Sequence, residues 1–190
     1  MNEVNVKITL LPGAELPKYA RPGDSGFDLV AQEDYVVEPG QTVKVRTGIC
    51  VELPVGTELQ VRPRSGISAN TKLRVANSPG TGDSSYRGEI CVLIDNIAQP
   101  VAREIDLNER EVTYDQSEYV HTLDGEYTRH GWQDRRDPTY LIRKGDRIAQ
   151  AIIAPVYRAS FEVVTELAES ERGTLGFGSS GVTTEGVNAE

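Results

Sequence analysis

The run Gly80-Thr-Gly-Asp-Ser-Ser-Tyr-Arg-Gly-Glu89 places a carboxylate, Asp83, three residues before an aromatic ring, Tyr86. A turn entered through Pro79-Gly80 and left by an apolar strand would carry both side chains near its tip. A carboxylate fixed there can aim and deprotonate a water molecule, although Asp and Ser are also ordinary turn residues. Arg64-Ser65-Gly66, after a proline and before a short helical stretch, offers a guanidinium fork, a hydroxyl and free backbone N–H groups. These are parts suited to phosphate, and equally to a plain helix cap with a solvated arginine. Gly145-Asp-Arg-Ile-Ala-Gln150 joins a turn to a strongly apolar strand, and Pro22-Gly-Asp-Ser-Gly-Phe-Asp-Leu-Val-Ala31 carries Asp28 just after Gly-rich punctuation. Near the C-terminus, Arg172-Gly-Thr-Leu-Gly-Phe-Gly-Ser-Ser-Gly181 reads as a phosphate-cradling loop without the lysine and following helix of a P-loop. Phe177 between glycines separates it from a plain linker.

The elements that must hold these groups are strands. Val4, Val6, Ile8 and Leu10 alternate with polar residues, as in a half-buried strand. Further strands are expected at Tyr35–Val37, from Val43 to Thr47, from Ile49 to Leu53, from Leu59 to Arg62, from Glu89 to Ile94, from Tyr140 to Arg143, from Ile148 to Val156 and from Phe161 to Val164. Turns such as Glu38-Pro-Gly-Gln41 and Pro54-Val-Gly56 separate them. Ser65 to Lys72 is the one short helix expected. Strands this short and this regularly punctuated indicate an all-β barrel or sandwich rather than βαβ units.

Two regions break the rhythm. Residues 97–138 hold ten acids, five arginines and no lysine, with both histidines, the only tryptophan and three of the eight tyrosines. They read as an insertion of partial hairpin character, with Val112–Tyr114 against Glu118–Val120 and again Glu126–Thr128. From Glu169 onward the chain is Gly- and Ser-rich, an arm expected to stay mobile until something binds it, and residues 182–190 read as a disordered tail. His121 and His130 flank Asp124 and Glu126, but their spacing matches no common zinc pattern.

Composition excludes several roles. Twenty basic against twenty-nine acidic residues give a net charge of −9, which leaves no bulk attraction for duplex nucleic acid. A small anion would need a local arginine cluster, backbone N–H groups or a cation. Cys50 and Cys91 sit in apolar strand-like runs and read as structural thiols of a reducing compartment. No apolar run approaches membrane-spanning length, so the sequence reads as cytoplasmic.

Taken in this order and at these separations, the motifs resemble the five motifs of the trimeric deoxyuridine triphosphate nucleotidohydrolases, the dUTPases. The resemblance covers residues 4–96 and 139–181, and the Asp83 hairpin and the Arg172 tail are its most specific parts. It implies a jelly-roll-like barrel over residues 1–181 as one domain, assembled as a homotrimer with shared active sites. It also implies Mg²⁺-assisted hydrolysis of dUTP to dUMP and pyrophosphate, which removes dUTP from DNA precursors and supplies dUMP for dTMP synthesis. Asp83 then matches the general base and Tyr86 the ring packed on the deoxyribose. Asn77, Thr81, Gly82 and Cys91 match positions that read uracil. Arg64, Ser65 and Gly66 match the phosphate clamp, and Asp28 and Gln150 match positions holding waters of the Mg²⁺. Arg172, Phe177, Gly178, Ser179 and Ser180 match a closing arm.

Two departures stand out. Gly82 replaces the branched apolar residue usual before the base, which takes a side chain from the pocket wall and loosens the backbone beside Asp83. The insertion is of a kind found in phage members, which would place the protein in a host-cell cytoplasm. It offers Trp132 and Arg135-Arg136 as a surface for a regulatory protein partner. Its excision, residues 98–137, is expected to spare turnover. A homologous dCTP deaminase would carry a glutamate five residues beyond Gly88, where this sequence has Leu93.

Overall fold

The alternating apolar runs and their Gly/Pro punctuation fold into three antiparallel-rich sheets of four strands each in a computed structural model, which describes residues 3–99, 119–129 and 138–176. The strands are β1 (Lys7–Leu10), β2 (Phe27–Val30), β3 (Tyr35–Val37), β4 (Thr42–Glu52), β5 (Thr57–Arg62), β6 (Leu73–Val75), β7 (Gly80–Gly82), β8 (Glu89–Asn96), β9 (Tyr119–Thr122), β10 (Tyr127–Arg129), β11 (Tyr140–Ile142) and β12 (Arg147–Pro155). One helix, α1 (Ser65–Asn70), is described. The sheets run β1-β4-β8-β6, β10-β9-β11-β3 and β2-β12-β5-β7, a jelly-roll-like all-β arrangement. Their inward faces meet in one core that includes Leu29, Val45, Leu59, Leu73, Val92, Ile94, Ile142 and Ile148, all almost fully buried. A compact unit ends at Tyr157, and a second comprises Arg158 to Glu190. Among the described residues no helix is long and apolar enough to cross a membrane.

Several strand expectations are corrected. The runs from Val43 to Thr47 and from Ile49 to Leu53 form one strand, β4, with a register shift between Arg46 and Cys50. Gly48 sits in that bulge at φ +72°, where a Cβ would stand 2.5 Å from the Ala14 Cβ, so the chain bends rather than ends there. Glu89 secures the bulge by accepting from the Gly48 backbone N–H at 2.8 Å and from Arg46 Nε at 2.9 Å. The helix stops at Asn70 because Thr71 turns back, its hydroxyl donating to the Ile67 carbonyl at 2.7 Å and accepting from the Leu73 N–H at 3.0 Å. Phe161 to Val164 form no strand, and Phe161 and Val163 are more than nine-tenths exposed.

The insertion is less peripheral than its composition suggests. β9 pairs antiparallel with β10, Tyr127 opposite His121, and parallel with β11, Tyr140 opposite His121. Val120 and Thr122 are therefore buried. Buried Asn96 ties the segment's two roots together. Its Nδ2 donates to the carbonyls of Val37 (3.0 Å) and Pro138 (2.8 Å), while its Oδ1 accepts from the Ala98 N–H. Excising residues 98–137 would remove two strands, β9 and β10, from their sheet, and with them the buried Val120 and Thr122. The hairpin partner expected at Val112–Tyr114, together with His130, Trp132, Arg135 and Arg136, lies outside the described residues.

Val120 gives a direct measure of this embedding. Val120→Ala should lower unfolding free energy by about 2 kcal/mol in urea titration, the worth of two buried methyl groups. A loss below about 0.5 kcal/mol would put β9 outside the core.

Candidate active site

The β2-β12-β5-β7 sheet borders two cavities, and strand alternation divides part of their lining between its two faces. Leu59 and Val61 of β5 point one way, and Gln60 and Arg62 the other. Gly82 stands opposite Leu59 and Gly80 opposite Val61, so these four share a face. Gln150 stands opposite both Arg62 and Asp28, which places those three on the other face.

The first cavity, about 280 Å³, is bounded by Leu59, Val61, Gly80 and Gly82, by Asn77, Thr81, Asp83 and Tyr86, and by Lys44, Ile90, Cys91 and Leu93. Every residue expected on the Asp83 side of the chemistry is here, and Asp83 is the only carboxylate among the described residues that line it. The turn that presents Asp83 closes with the Tyr86 N–H donating to the Asp83 carbonyl at 3.0 Å. The Tyr86 hydroxyl donates to the Glu89 carbonyl at 3.2 Å, laying the ring across Gly88. A Cβ on Gly88 would come within 2.3 Å of that hydroxyl, so the ring's position requires glycine there. Burial, reinforced by the charge of Glu89, pushes the Cys91 thiol above its usual range, with Lys44 and Arg46 pulling it back. The thiol is thus held neutral beside the cavity.

Gly82 was expected to thin the pocket wall and loosen the backbone beside Asp83. It lies within a strand ladder, and a Cβ there would sit 3.4 Å from the Leu59 Cβ and carbonyl, an ordinary contact. The wall has room for a side chain at Gly82 that this sequence leaves out.

The second cavity, about 590 Å³, is lined by Ala20, Arg21, Asp24, Ser25, Gly26, Asp28, Arg64, Ser65, Gly66, Arg147 and Gln150. It gathers the phosphate-clamp and metal-water residues but shares none with the first. Asp28 was expected to help hold metal-bound water. In the structure its carboxylate pairs with two guanidiniums, Arg64 Nε at 3.0 Å and Arg147 at 3.2 Å. Arg64 also donates to the Arg147 carbonyl at 3.0 Å, and Gln150 Nε2 donates to the Pro63 carbonyl at 2.9 Å. Arg147 is a site residue that the sequence reading passed over, although the quoted Gly145–Gln150 run contains it. No group of three metal-ligating side chains exists among the described residues. The donor set suits a cation that keeps its water shell, not a dehydrated ion.

In the C-terminal unit the Arg172 Nε donates to the Leu175 carbonyl at 3.0 Å, closing a tight turn. Phe177, Gly178, Ser179 and Ser180 lie outside the described residues.

A family model described as dUTPase matches residues 13–109 and 135–181. A deoxyuridine 5'-triphosphate nucleotidohydrolase from Helicobacter pylori (strain J99) is 38% identical over 180 residues, which cover 94% of this chain and 98% of that one. One from Thermobifida fusca is 41% identical over 179 residues, covering 94% of this chain and 79% of its own. Among solved structures, Staphylococcus bacteriophage 80alpha dUTPase with dUPNHPP superposes with a TM-score of 0.80 at 30% identity, over 94% of this chain and 99% of that one. A dUTPase from phage phi11 of S. aureus, described for its species-specific insert, gives 0.73 at 27% identity, over 86% and 97%.

Gly88→Ala tests how the ring is held. A crystal structure of the variant should show the Tyr86 ring swung off residue 88 and its bond to Glu89 broken; an unmoved ring would refute the packing argument.

Proposed function

This chain belongs to the dUTPase family, and from that membership we propose that it hydrolyses dUTP to dUMP and pyrophosphate at sites built from more than one subunit of a homotrimer. The observation that carries the reading is the division of labour between two cavities that share no residue. The base side holds Asp83, and the arginine side holds the groups suited to phosphate. A single nucleotide bound by one chain alone would have to reach two cavities that have no lining residue in common. A neighbouring copy that sets its Arg64 face against the Asp83 face of the first removes the conflict.

In this mechanism Asp83 accepts a proton from a water molecule as the water oxygen attacks the α-phosphorus. The bond from that phosphorus to the bridging oxygen breaks in line, and pyrophosphate leaves with the electron pair. Tyr86 packs on the deoxyribose and leaves no room for a 2′-hydroxyl. Asn77, Thr81 and the Cys91 strand meet the uracil edge. Arg64, Ser65 and Gly66 hold the phosphates, with Arg147 behind them. Arg172 and Phe177, with Gly178, Ser179 and Ser180, close over the bound nucleotide and exclude bulk water. Asp28 and Gln150 would hold Mg²⁺ through its waters, and the cation would supply charge neutralisation for the triphosphate. A phi11 phage dUTPase is described with a structural Mg(II) ion. Such an enzyme belongs in the cytoplasm, beside the nucleotide pool.

The family model leaves residues 110–134 unmatched, within the stretch read as an insertion. Phage dUTPases related in structure are described as controlling transfer of virulence genes by a G protein-like mechanism. Residues 97–138 are the segment of this chain that would meet a regulatory protein, with β9 anchoring it to the barrel.

Two measurements test the reading. Asp83→Asn should slow pyrophosphate release from dUTP by about 10²–10⁴-fold, and equal release by the variant would refute the base assignment. Asp83→Asn and Arg64→Ala chains, each inactive alone, should regain activity when assembled together. About one quarter of sites in an equal mixture would then join two intact halves. No recovery in mixed trimers would mean that each site lies within one chain.

A further inference from the structure

The inserted hairpin comes close to the groups suited to phosphate. A third cavity, about 250 Å³, lies between α1 and the β9–β10 turn, with Ile67 and Asn70 contributed by the helix and Leu123 and Asp124 by the turn. Arg64, Gly66 and Arg147 line this groove and the phosphate-side cavity alike. Leu123 falls within residues 110–134, the stretch that the family model leaves unmatched. A segment outside the common pattern therefore shares a groove with the clamp.

α1 cannot hold its own place. It is six residues long, too short to persist as an isolated helix, and no side chain caps its N-terminus. Its position must come from what packs on it. Ile67, its one buried residue, belongs to the central core, and Leu123 packs half-buried on that same core. Just past the end of α1 the Lys72 N–H donates to the Tyr140 hydroxyl at 3.0 Å. The Tyr140 ring in turn lies 5.4 Å from the ring of His121 on β9. The insertion thus borders the helix at the groove and reaches its exit through Tyr140.

The turn that carries Leu123 is itself fixed. Thr122 is buried and stands opposite Leu141 in the parallel ladder with β11. Its N–H donates to the Glu126 carbonyl at 2.8 Å, and its carbonyl accepts from the Gly125 N–H at 3.0 Å. Its hydroxyl donates to the Asp124 carboxylate, which also accepts from the Glu126 N–H at 3.3 Å. A turn held this firmly can act as a stop for its neighbour.

Resting on the dUTPase reading of the site, we propose that Leu123 is a positioning residue for the phosphate clamp. Its side chain holds α1, and with it Arg64, Ser65 and Gly66, where the phosphate chain is to be gripped. Leu123 does not line the phosphate-side cavity, so the effect passes through the helix. Loss of the side chain widens the groove and lets the clamp drift, which weakens the hold on the phosphates. The base and sugar, bound in the Asp83 cavity, keep their contacts. By linkage, a triphosphate on the clamp must in turn steady the hairpin.

The full chain and its Leu123→Ala, Leu123→Met and Val120→Ala variants would be assayed for pyrophosphate release from dUTP with Mg²⁺. Binding of dUMP and of the analogue dUPNHPP would be measured alongside by calorimetry. Leu123→Ala is expected to raise KM and weaken the analogue by about five- to tenfold, with kcat and dUMP affinity within about twofold. Leu123→Met, which nearly conserves volume, should behave as the wild type. Val120→Ala loosens the same hairpin at a residue that does not line the groove, and should leave KM unchanged. In the wild-type chain the amides of Thr122 and Gly125 should exchange hydrogen more slowly with the analogue bound than with dUMP. This last measurement decides the matter on the native chain if Leu123→Ala fails to fold. Equal loss of dUMP and analogue in Leu123→Ala, no loss of either, the same KM rise in Val120→Ala, or exchange indifferent to the analogue would each overturn the assignment while leaving the hydrolase reading intact. A wild-type protein that releases no pyrophosphate from dUTP would overturn both.

Discussion

The two-residue alternation of β5 is the constraint on which the rest of the site depends. Leu59 and Val61 must face the core for the barrel to close, and both are buried. Gln60 and Arg62 are thereby committed to the opposite face, together with Gln150 and Asp28 across the ladder. A one-residue slip in this register would exchange the faces, exposing Leu59 and burying Arg62. On the proposed reading, the fold leaves Asp83 and the arginine cluster in cavities that share no residue, and subunit assembly would be the way to reunite them.

Rigidity at the hairpin is secured by a residue that performs no chemistry. Glu89 accepts from Gly48 and Arg46 across the β4 bulge, and its own carbonyl receives the Tyr86 hydroxyl. One residue therefore fixes the strand that continues from Asp83 and the ring that flanks it. Asn96, at the far end of the same strand, ties β3 to both roots of the insertion. β8 is consequently clamped at both ends, with Cys91 and Leu93 of the Asp83 cavity between the clamps. Precise aim at a reacting atom requires supports of this kind, because small displacements of a general base are costly in rate.

Much of this was legible in the sequence because it is written in local terms. Period-2 patterns and turn residues specify strands directly, and the motif residues group as expected, with Asn77, Thr81, Gly82, Tyr86 and Cys91 around Asp83 and Ser65, Gly66 and Gln150 around Arg64. What the sequence concealed was non-local. The bulge at Gly48 looks like a strand break because its satisfaction comes from Glu89, forty-one residues away. β9 looks like part of a polar surface insertion because its charged neighbours dominate composition, while two buried positions, Val120 and Thr122, decide its place. Arg147 was missed because it is an ordinary charged residue on a strand, and only its pairing with Asp28 reveals what it faces.

Charge is the remaining problem, since a protein of net −9 has to hold a polyanion. The answer is local and depends on Asp28. Its two carboxylate oxygens hold the guanidiniums of Arg64 and Arg147, and Arg64 is braced again by the Arg147 carbonyl. Two cations close together on one face would otherwise repel and spread their flexible side chains. With Asp28 between them they are oriented before any phosphate arrives, so less side-chain entropy is lost on binding. The same carboxylate lowers the local positive potential, which weakens attraction for small anions that carry little charge. A triphosphate with its cation brings enough charge and enough oxygens to engage the arginines beside Asp28, and a lone phosphate brings fewer. On the proposed reading, the ion-pair cluster would present two guanidiniums already oriented for the phosphate chain before the water attack that Asp83 is proposed to assist.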